Sequence, residues 1–434
     1  MTTSQPTASS ISSAEILPPA RERALLWLLA LTQFTVIMDF MVMMPLGPQI
    51  MKAFSIGPAG FAAAVSTYAW CSGLTGLFAA TYIDRFDRRR LLMVVFSLFL
   101  LSNLGCALAG DFNLLLFARG FAGLTGGVLG PIVFAIVGDV IPESRRGAAM
   151  GLVMTSFSIA SIAGVPAGVA LGAHFGWQSA FELLVVCCAL IWLGALRIVP
   201  SLTAHLAKSA PPLAQVIPNL FRLVFKSRHM RAFALVLAMV SSNMLIIPFI
   251  SPVLVVNHGI APGEIAYIYI AGGIATLFTA RWIGRQSDRY GKVRIFRYVA
   301  AFSILPILGF THLPAWPLWG IVAFFPFFMV AMSGRFIPMQ ALMTTVPEAQ
   351  QRGAFMSIVT AMQSLGAGVG AWFGGMLLGS GPSGQILGYE MNGWIGAALT
   401  VFGMAWIGRV VSNSAARPAA VIAAPIEDAV SSEA

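Results

Sequence analysis

The sequence carries very little charge. Asp, Glu, Lys and Arg make up 10% of its 434 residues, and apolar residues make up 58%. Soluble domains carry about 25% charged and about 45–50% apolar residues. Because a soluble core cannot bury that much apolar surface, the composition excludes a soluble globular protein. It predicts an all-α polytopic membrane protein.

The chain also lacks the short motifs of several enzyme classes. It contains no Gly-x-x-x-x-Gly-Lys-Ser/Thr nucleotide loop, no Gly-x-Ser-x-Gly and no His-Glu-x-x-His. Its five histidines lie in or near predicted connectors and its four cysteines lie in apolar runs, so neither set has the spacing of metal ligands. We therefore expect no enzyme activity, no metal site and no ATP-driven pump.

What the chain does contain is a series of apolar segments, each close to the ~20 residues that a bilayer requires. We predict twelve spans, numbered in order: 24–46, 60–82, 91–110, 113–138, 148–171, 178–199, 232–254, 264–284, 295–312, 316–343, 353–378 and 391–411. The ends 1–23 and 412–434 are rich in Ser, Pro and Ala, so we expect disordered cytoplasmic tails. The long connector 200–231 separates two six-helix halves, 24–199 and 232–411.

The distribution of basic residues predicts an orientation. The net charge is +10, but these residues lie in short connectors rather than along one face, so we expect no nucleic-acid partner. Of 26 Lys and Arg residues, 22 fall in the termini and connectors on the N-terminal side, one in the opposite connectors and three within spans. Positive charge stays inside, so both termini are predicted to be cytoplasmic, in a bacterial-type inner membrane.

Two charged connectors read nearly the same. The one between spans 2 and 3 is Asp84-Arg85-Phe86-Asp87-Arg88-Arg89-Arg90, and the one between spans 8 and 9 is Asp288-Arg289-Tyr290-Gly291-Lys292-Val293-Arg294, at an offset of 204. Pro48 returns as Pro252 at the same offset. The repeat predicts that spans 1–6 and 7–12 are two pseudo-symmetric copies of one unit, which is typical of proteins that move solutes.

At these motifs the chain resembles the major facilitator superfamily, over residues 24–411. The family's loop signature is Gly, then Asp-Arg, then Gly with two basic residues. It reads Ala80, Asp84-Arg85, Asp87, Arg88-Arg89 in the first connector, with two glycines replaced, and Gly284, Asp288-Arg289, Gly291-Lys292 in the second. Three helix signatures match in spans 4, 5 and 1: Arg119-Gly120 with Gly123 and Gly126-Gly127; Gly164-Val165-Pro166-Ala167-Gly168 with Gly172; and Met38-Asp39 followed by Pro48-Gln49-Ile50. Within the family, the likeness is closest to the drug/proton antiporter and arabinose-efflux-permease-like group.

The resemblance implies a gating latch at the first connector. Asp84 lies at the end of span 2, where a carboxylate can accept hydrogen bonds from the N-terminus of a neighbouring helix. The family suggests span 11 as that neighbour, with Arg88 and Asp139 joining Asp84 in a charge relay. Further latch residues are expected at Arg85 and in the second copy, at Asp288 and Arg289. The alternative is that the basic run only anchors the loop to anionic lipid.

Glycines spaced four apart line one face of span 5 and one face of span 11. Such faces let two helix backbones approach closely, and a proline within the first can bend the helix. We expect these residues to form hinges or sliding surfaces, with plain helix packing as the alternative. They are Gly164, Pro166 and Gly168 in span 5, and Gly366, Gly370 and Gly374 in span 11.

Charges within the spans are the most informative residues. A charge at mid-bilayer costs roughly 2.5–3.5 kcal/mol, and such groups usually mark a pathway. Asp39 is the one acidic residue clearly inside a span, and its repeat counterpart is the uncharged Asn243. We interpret Asp39 as the proton-coupling group, with a structural ion pair to Arg119 or Arg335 as the alternative. Either arginine could instead hold an anionic group of the substrate.

These observations predict a secondary active transporter with alternating access. We expect a monomer without a cofactor that uses the proton gradient to export a small lipophilic or amphipathic compound. Few polar side chains are expected to line its cavity, which suits lipophilic solutes better than sugars; they are Gln33, Asn103, Asn243, Gln340 and Gln363. Two alternatives are an importer or facilitator of an anionic metabolite, and a membrane sensor that binds without transporting.

Overall fold

The structure is a computed structural model that describes residues 18–203, 218, 221–314, 316–348 and 351–410. A helix occupies each of the twelve predicted positions, and we keep the span numbers. In the first half these are span 1, Pro19–Val42 and Gly47–Ala53; span 2, Pro58–Tyr82; span 3, Arg88–Ala107; span 4, Phe112–Val140; span 5, Glu143–Ile159 and Val165–Phe175; and span 6, Gln178–Ile198.

In the second half the helices are span 7, Ser227–Met244 and Ile250–His258; span 8, Ile265–Tyr290; span 9, Lys292–Thr311; span 10, Leu318–Met343; span 11, Arg352–Met376; and span 12, Tyr389–Trp406. Short 3-10 turns lie at Ile83–Arg85, Ile247–Phe249 and Ile407–Arg409, and a π-helical turn at Ala160–Gly164 joins the two parts of span 5. Strands β1, Gly379–Ser380, and β2, Ile386–Leu387, form an antiparallel hairpin between spans 11 and 12.

Length and composition confirm the predicted fold class. Ten helical stretches within the described residues are long and apolar enough to cross a membrane, and they correspond to every span except 2 and 12. The helices of those two spans have 25 and 18 residues and pack among the others. The chain is therefore an all-α polytopic membrane protein.

Some predicted boundaries were wrong. Span 1 begins at Pro19 rather than at residue 24, so residues 19–23 of the predicted tail are helical. Proline is well suited to the first helical turn, where its missing N–H has no partner to lose. Span 7 begins at Ser227 rather than at residue 232. Residues 1–17 of the first predicted tail, the whole second tail at 412–434, and most of the connector, at 204–217 and 219–220, lie outside the described residues.

The same helix contacts occur in both halves. Span 1 packs against spans 5 and 6, as span 7 packs against spans 11 and 12. Spans 2 and 4 pair, as spans 8 and 10 do, and span 3 contacts spans 4 and 6 as span 9 contacts spans 10 and 12. The recurrence matches the repeat seen in the sequence, while the exact domain boundaries remain predictions.

The hydrophobic core is shared between the halves at one end of the bundle only. One cluster of buried residues draws on both halves, from Met38 to Tyr389, and lies toward the end opposite the basic connectors. Toward the basic connectors the core divides into two clusters. One lies within residues 25–199, and the other lies within residues 232–410 apart from Ala69 of span 2. The halves are thus joined at the far end and packed separately at the basic end.

Direct contacts between the halves follow the same division. Span 2 packs along span 11, and span 5 packs along span 8. At the far end, Ser251 Oγ of span 7 donates a hydrogen bond of 2.7 Å to the carbonyl oxygen of Pro45 in span 1. Also at the far end, but within the second half, the side-chain amide of Asn257 exchanges two hydrogen bonds of 2.8 Å with the backbone of Ile386, which fastens the hairpin to span 7. This arrangement corresponds to a bundle closed at the far end.

Candidate functional site

Asp39 and Arg119 form an ion pair inside the first half. Arg119 Nη1 in span 4 donates a hydrogen bond of 2.6 Å to Asp39 Oδ1 in span 1. The Asp39 side chain is 0% exposed and the Arg119 side chain is 1% exposed. Asp39 is the only acidic residue among the buried polar side chains of the described residues. The structure therefore brings together the predicted coupling residue and one of its two predicted partners.

Glycines of span 4 explain how the pair is enclosed. A Cβ atom on Gly123 would lie 2.2 Å from the backbone oxygen of Tyr68, so only glycine lets span 2 come this close. The approach places the Tyr68 ring over Arg119, with 4.4 Å between its centroid and the guanidinium carbon. Phe181 of span 6 lies on the same guanidinium at 5.9 Å. The fourth-helix motif thus supplies the wall of the site, a role that spacing alone did not indicate.

The hydrogen bonding of this pair is incomplete. Asp39 Oδ2 and Arg119 Nε are buried, and neither makes a hydrogen bond of normal geometry among the described residues. A buried ion pair recovers its desolvation cost only when its remaining donors and acceptors are also satisfied. The Tyr68 side chain also interacts with the Asp39 carboxyl, so both the structural ion pair and the proton-coupling role stay predictions. Chemically, the carboxylate can accept a proton, whereas the guanidinium stays charged.

A second buried arginine occupies the other half. Arg335 of span 10 is 1% exposed and donates from Nη2 to Ser242 Oγ at 3.1 Å and to Asn243 Oδ1. Its Nη1 donates to Thr400 Oγ1 and, at 3.5 Å, to Ser303 Oγ. All of these partners are neutral, and within the described residues no carboxylate forms a salt bridge with Arg335. The positive charge of this arginine is solvated by protein dipoles and is not neutralised.

The two arginines occupy related settings. Asp39 and Asn243 are repeat counterparts at an offset of 204, and each contacts an arginine of the fourth span in its half. The first contact is an ion pair, whereas the second joins a cation to a neutral amide. The sequence repeat did not predict this pairing, because Arg119 and Arg335 are not separated by the 204 residues that relate Asp39 to Asn243. Following Asp39 to Asn243 and looking for a buried arginine on span 10 would have found it.

The other predicted cavity residues lie on four spans. Gln33, Gln340 and Gln363 are half-buried on spans 1, 10 and 11, and each has one buried amide atom without a hydrogen bond. Asn103 differs, because it is fully buried and donates to the carbonyl oxygen of Phe99 at 3.0 Å within its own helix. The glutamines retain hydrogen-bonding capacity that a solute could use. Asn103 Oδ1 is likewise unpaired, but the Asn103 side chain is fully buried within the bundle.

The predicted latch residues of the first connector meet one another. Arg88 donates from Nη2 to Asp84 Oδ1 at 2.6 Å and from Nε to Asp139 Oδ2 at 2.9 Å. Asp84 remains 68% exposed, at the end of the bundle where the two core clusters are separate. Arg85 donates to the carbonyl oxygen of Thr81 at 3.3 Å. The expected contact of Asp84 with span 11 stays a prediction, for a conformation closed at this end.

The second copy of the connector is built differently. Asp288 is exposed, and no described salt bridge includes it. The Arg289 guanidinium lies 5.2 Å from the ring of the adjacent Tyr290. Lys292, the counterpart of Arg88, donates to the carbonyl oxygen of Ala341 at 3.0 Å. The three-residue relay of the first copy is therefore not repeated in this conformation.

The two glycine faces pack inside their own halves. A Cβ atom on Gly168 would lie 2.4 Å from Val42 Cγ2 in span 1, and one on Gly370 would lie 2.5 Å from the Ser241 oxygen in span 7. Gly164 faces span 1 likewise, and Gly366 and Gly374 face span 7. In this conformation the faces serve close packing and are not the surfaces between the halves. A hinge at Pro166 remains a prediction, and the adjacent π-helical turn at Ala160–Gly164 favours it.

Glycines that sequence reasoning had not singled out lie at the contact between spans 2 and 11. A Cβ atom on Gly368 would lie 2.2 Å from Trp70 Cδ1, and one on Gly375 would lie 2.2 Å from Ala62 Cβ. Trp70 also meets Trp372, with 5.9 Å between ring centroids. The sequence does contain the signal for this contact, because Gly368 and Gly375 lie outside the four-residue spacing of Gly366, Gly370 and Gly374.

Comparison with known proteins agrees with this architecture. A probable sugar efflux transporter of Mannheimia succiniciproducens is 25% identical over 350 residues, covering 79% of this chain and 82% of that protein. An uncharacterized MFS-type transporter, YtbD, of Bacillus subtilis is 25% identical over 327 residues, covering 73% and 77%. The crystal structure of a D-xylose-proton symporter superposes with a TM-score of 0.72 at 17% identity, covering 92% of this chain and 99% of that one, so it supports the fold alone. The sequence model of the Major Facilitator Superfamily matches residues 29–371 and 232–425, and the chain belongs to that family.

Proposed function

We propose that this transporter exports a small organic solute in exchange for protons. The observation that carries the proposal is the buried pair of Asp39 and Arg119, since it holds the one buried carboxylate of the described residues. A secondary transporter that uses a proton gradient needs a group that gains and loses a proton as the bundle changes conformation. Arg119 cannot do this, and Asp39 can.

The pair supports a simple coupling step. With Asp39 ionised, its hydrogen bond to Arg119 holds span 1 against span 4. Protonation of Asp39 removes one charge of the pair and leaves the Arg119 guanidinium without its counter-ion. A buried unpaired charge costs several kcal/mol, so protonation favours a conformation in which Arg119 meets water or another group. We infer that protonation of Asp39 is thereby coupled to the change of conformation, while solute binding does not require the charge of Asp39.

The substrate class follows from two sources. Partly buried apolar side chains of span 1 lie near the pair, among them Phe34, Ile37 and Met41, which suits an apolar face on the solute. The unpaired amide atoms of Gln33, Gln340 and Gln363 suit a few hydroxyl groups. Curated relatives are named probable sugar efflux transporters, which supports export as the direction. We propose an amphipathic solute that combines an apolar face with hydroxyl groups, and sugars are the first polar compounds to compare.

Arg335 favours a second candidate, the transport of an anionic metabolite. Its charge is buried and meets neutral partners only, among them the half-buried Asn243. A carboxylate on the solute could reach Arg335 on the side where Asn243 lies and neutralise the guanidinium charge. Arg119 does not form a joint clamp with Arg335 in this conformation, because Asp39 already binds it. This candidate therefore rests on one arginine.

The proposal is tested by flux in inverted vesicles with an imposed pH gradient. We expect the unmodified protein to move an amphipathic neutral solute against its gradient, and Asp39→Asn to abolish this flux while solute still binds. Glu182→Gln is the matched control, because Glu182 is an exposed carboxylate on span 6. Full gradient-driven flux by Asp39→Asn would refute proton coupling through this residue. Flux of carboxylates alone would support the second candidate.

We also propose that the first connector gates the cytoplasmic side, with both termini in the cytoplasm. Asp84, Arg88 and Asp139 already form one charge relay, and Asp84 is exposed enough to reach another helix. Asp84→Asn is expected to slow transport by weakening the closed state while expression stays near normal. Cysteine cross-linking between residue 86, which is exposed in the same connector, and the start of span 11 measures that closure with either Asp or Asn at position 84. Unchanged flux and cross-linking would leave only the lipid-anchor interpretation.

A further inference from the structure

A cavity lies at the basic end of spans 8, 9 and 10, away from Asp39 and Arg119. Its volume is about 860 Å³, and the second charged connector and the end of span 10 line it. The charged side chains in its wall are Asp288, Lys292, Arg294 and Arg297. Three cations face one carboxylate, so the wall carries net positive charge. The transport cycle proposed above does not use this cavity.

Comparison with the first connector shows what the cavity lacks. There, Asp87 accepts a hydrogen bond of 3.1 Å from the Arg89 N–H and caps the helix of span 3. The repeat counterpart of Asp87 is Gly291, so no side chain caps the helix of span 9. Asp139, which neutralises Arg88, corresponds to Thr344 at an offset of 205. The second copy has thus lost two carboxylates but only one of four cations, since Arg89 corresponds to Val293 while Arg85, Arg88 and Arg90 return as Arg289, Lys292 and Arg294.

A buried hydroxyl group in the wall is unpaired. Ser287 is 2% exposed and lines the cavity, yet its Oγ makes no hydrogen bond among the described residues. Burying a hydroxyl group without a partner is unfavourable. An acceptor placed in the cavity could bind this hydroxyl, the uncapped N–H groups of span 9 and the Arg294 guanidinium. These are the donors that a phosphate group requires.

An apolar groove continues from the cavity along the outer surface of the bundle. Its volume is about 480 Å³, and it shares Tyr290, Arg294 and Tyr298 with the cavity. Its remaining wall is mostly apolar, with Trp282, Ile283, Ile295 and Val299. Trp282 and Tyr298 are 62% and 65% exposed, as is usual for aromatic residues at a membrane interface. A polar ligand held in the cavity would therefore need an apolar chain to fill the groove.

We propose that this site binds an anionic phospholipid. The phosphate lies in the cavity against Lys292 and Arg294 at the start of span 9, and an acyl chain follows the groove beside Tyr298. Basic pockets between membrane helices are suited to such head groups. The ligand supplies the negative charge that Asp87 and Asp139 supply in the first half. The site is thus a lipid-dependent counterpart of the protein-only relay.

Native mass spectrometry of the purified full chain tests the site. We expect phosphatidylglycerol to stay bound to the unmodified protein and phosphatidylcholine to be lost. Thr345→Asp places a carboxylate in the cavity wall, whereas Thr345→Asn is the same size and neutral. We expect Thr345→Asp to lower the affinity for phosphatidylglycerol about fivefold or more and Thr345→Asn to leave it unchanged.

Two further variants separate this site from general surface charge. Arg294→Gln removes a cavity cation and should weaken binding, while Arg222→Gln removes an exposed cation outside the cavity and should not. Both positions are exposed, so folding is preserved and is checked by gel filtration. Equal retention of phosphatidylglycerol by Thr345→Asp and Thr345→Asn would overturn the proposal. Displacement of the lipid by soluble glycerol phosphate would also overturn it, because the groove would then contribute nothing.

Discussion

A double-mutant cycle on Asp39 and Arg119 separates folding from coupling. Asp39→Asn keeps the shape of the side chain but leaves the Arg119 guanidinium buried without a counter-ion. Arg119→Gln leaves a buried carboxyl group, which can become neutral by accepting a proton. The two single variants should therefore differ in stability. The Asp39 carboxylate left in Arg119→Gln can become neutral, whereas the Arg119 guanidinium left in Asp39→Asn stays charged.

The burial of both side chains sets the magnitude. Removing one partner of a buried ion pair costs about 3–5 kcal/mol, and we expect Asp39→Asn to lie in this range because Arg119 is only 1% exposed. Arg119→Gln should cost about 1–3 kcal/mol, as for a buried polar group that loses its partner. The double variant pairs two neutral amides, so it should be more stable than Asp39→Asn by about 2 kcal/mol or more.

Unfolding in mixed micelles measures the stabilities, and pH-gradient-driven flux in proteoliposomes measures coupling. We expect the double variant to regain stability without regaining flux, since no group remains to exchange protons. A double variant as unstable as the sum of the singles would show that the contact is not an energetic pair. Recovery of gradient-driven flux along with stability would show that the pair is structural only.

The second half offers a complementary change: Asn243→Asp should pair with Arg335, raise stability and, in a flux assay, reduce any preference for anionic solutes. Gly370→Ala should destabilise the protein by about 1–3 kcal/mol in an unfolding assay, because its Cβ would lie 2.5 Å from a backbone oxygen, whereas Gly353→Ala has open space and should be neutral. Partial burial opposes ionisation of Asp87, but hydrogen bonds from backbone N–H groups outweigh it and hold its pKa below the usual 3.8. The hydrogen bond from the Leu202 N–H to Asp87 should persist at neutral pH and break only as the pH falls through that lowered pKa. Hydrogen exchange at the Leu202 amide, corrected for intrinsic rates, measures this. Asp87→Asn should remove the pH dependence of that exchange.

Much of the fold could be predicted because the signals are local. Each span is an apolar run of sufficient length, and the repeat of Asp84-Arg85 at Asp288-Arg289 announces the duplication. The start at Pro19 was missed, although proline at a first helical position is itself a local signal. The π-helical turn before Pro166 was missed as well, since it depends on how span 5 meets spans 1 and 8.

The site was predicted less completely, because partners depend on helix packing. Asp39 stood out as a lone carboxylate within a span, but the sequence alone indicates Arg119 and Arg335 equally as its partner. The packing of span 1 against span 4 places Asp39 on Arg119, and the close approach of span 2 at Gly123 then lays Tyr68 over the same arginine. The pairing of Arg335 with Asn243 required the same tertiary information. Residue type therefore indicated the chemistry, and the packing of spans 1 and 4 selected the partners.

The single apolar cluster that joins the two halves at one end has a thermal consequence. To open that end, the protein must expose part of this surface, and a matching surface must be buried at the basic end. Exposure of apolar surface to water raises the heat capacity, and its free-energy cost changes with temperature. The barrier between the two conformations should therefore vary with temperature, so that the transport rate follows a curved Eyring plot. Because a matching surface is buried at the basic end, cooling should change the resting populations of the two conformations much less than it changes the transport rate.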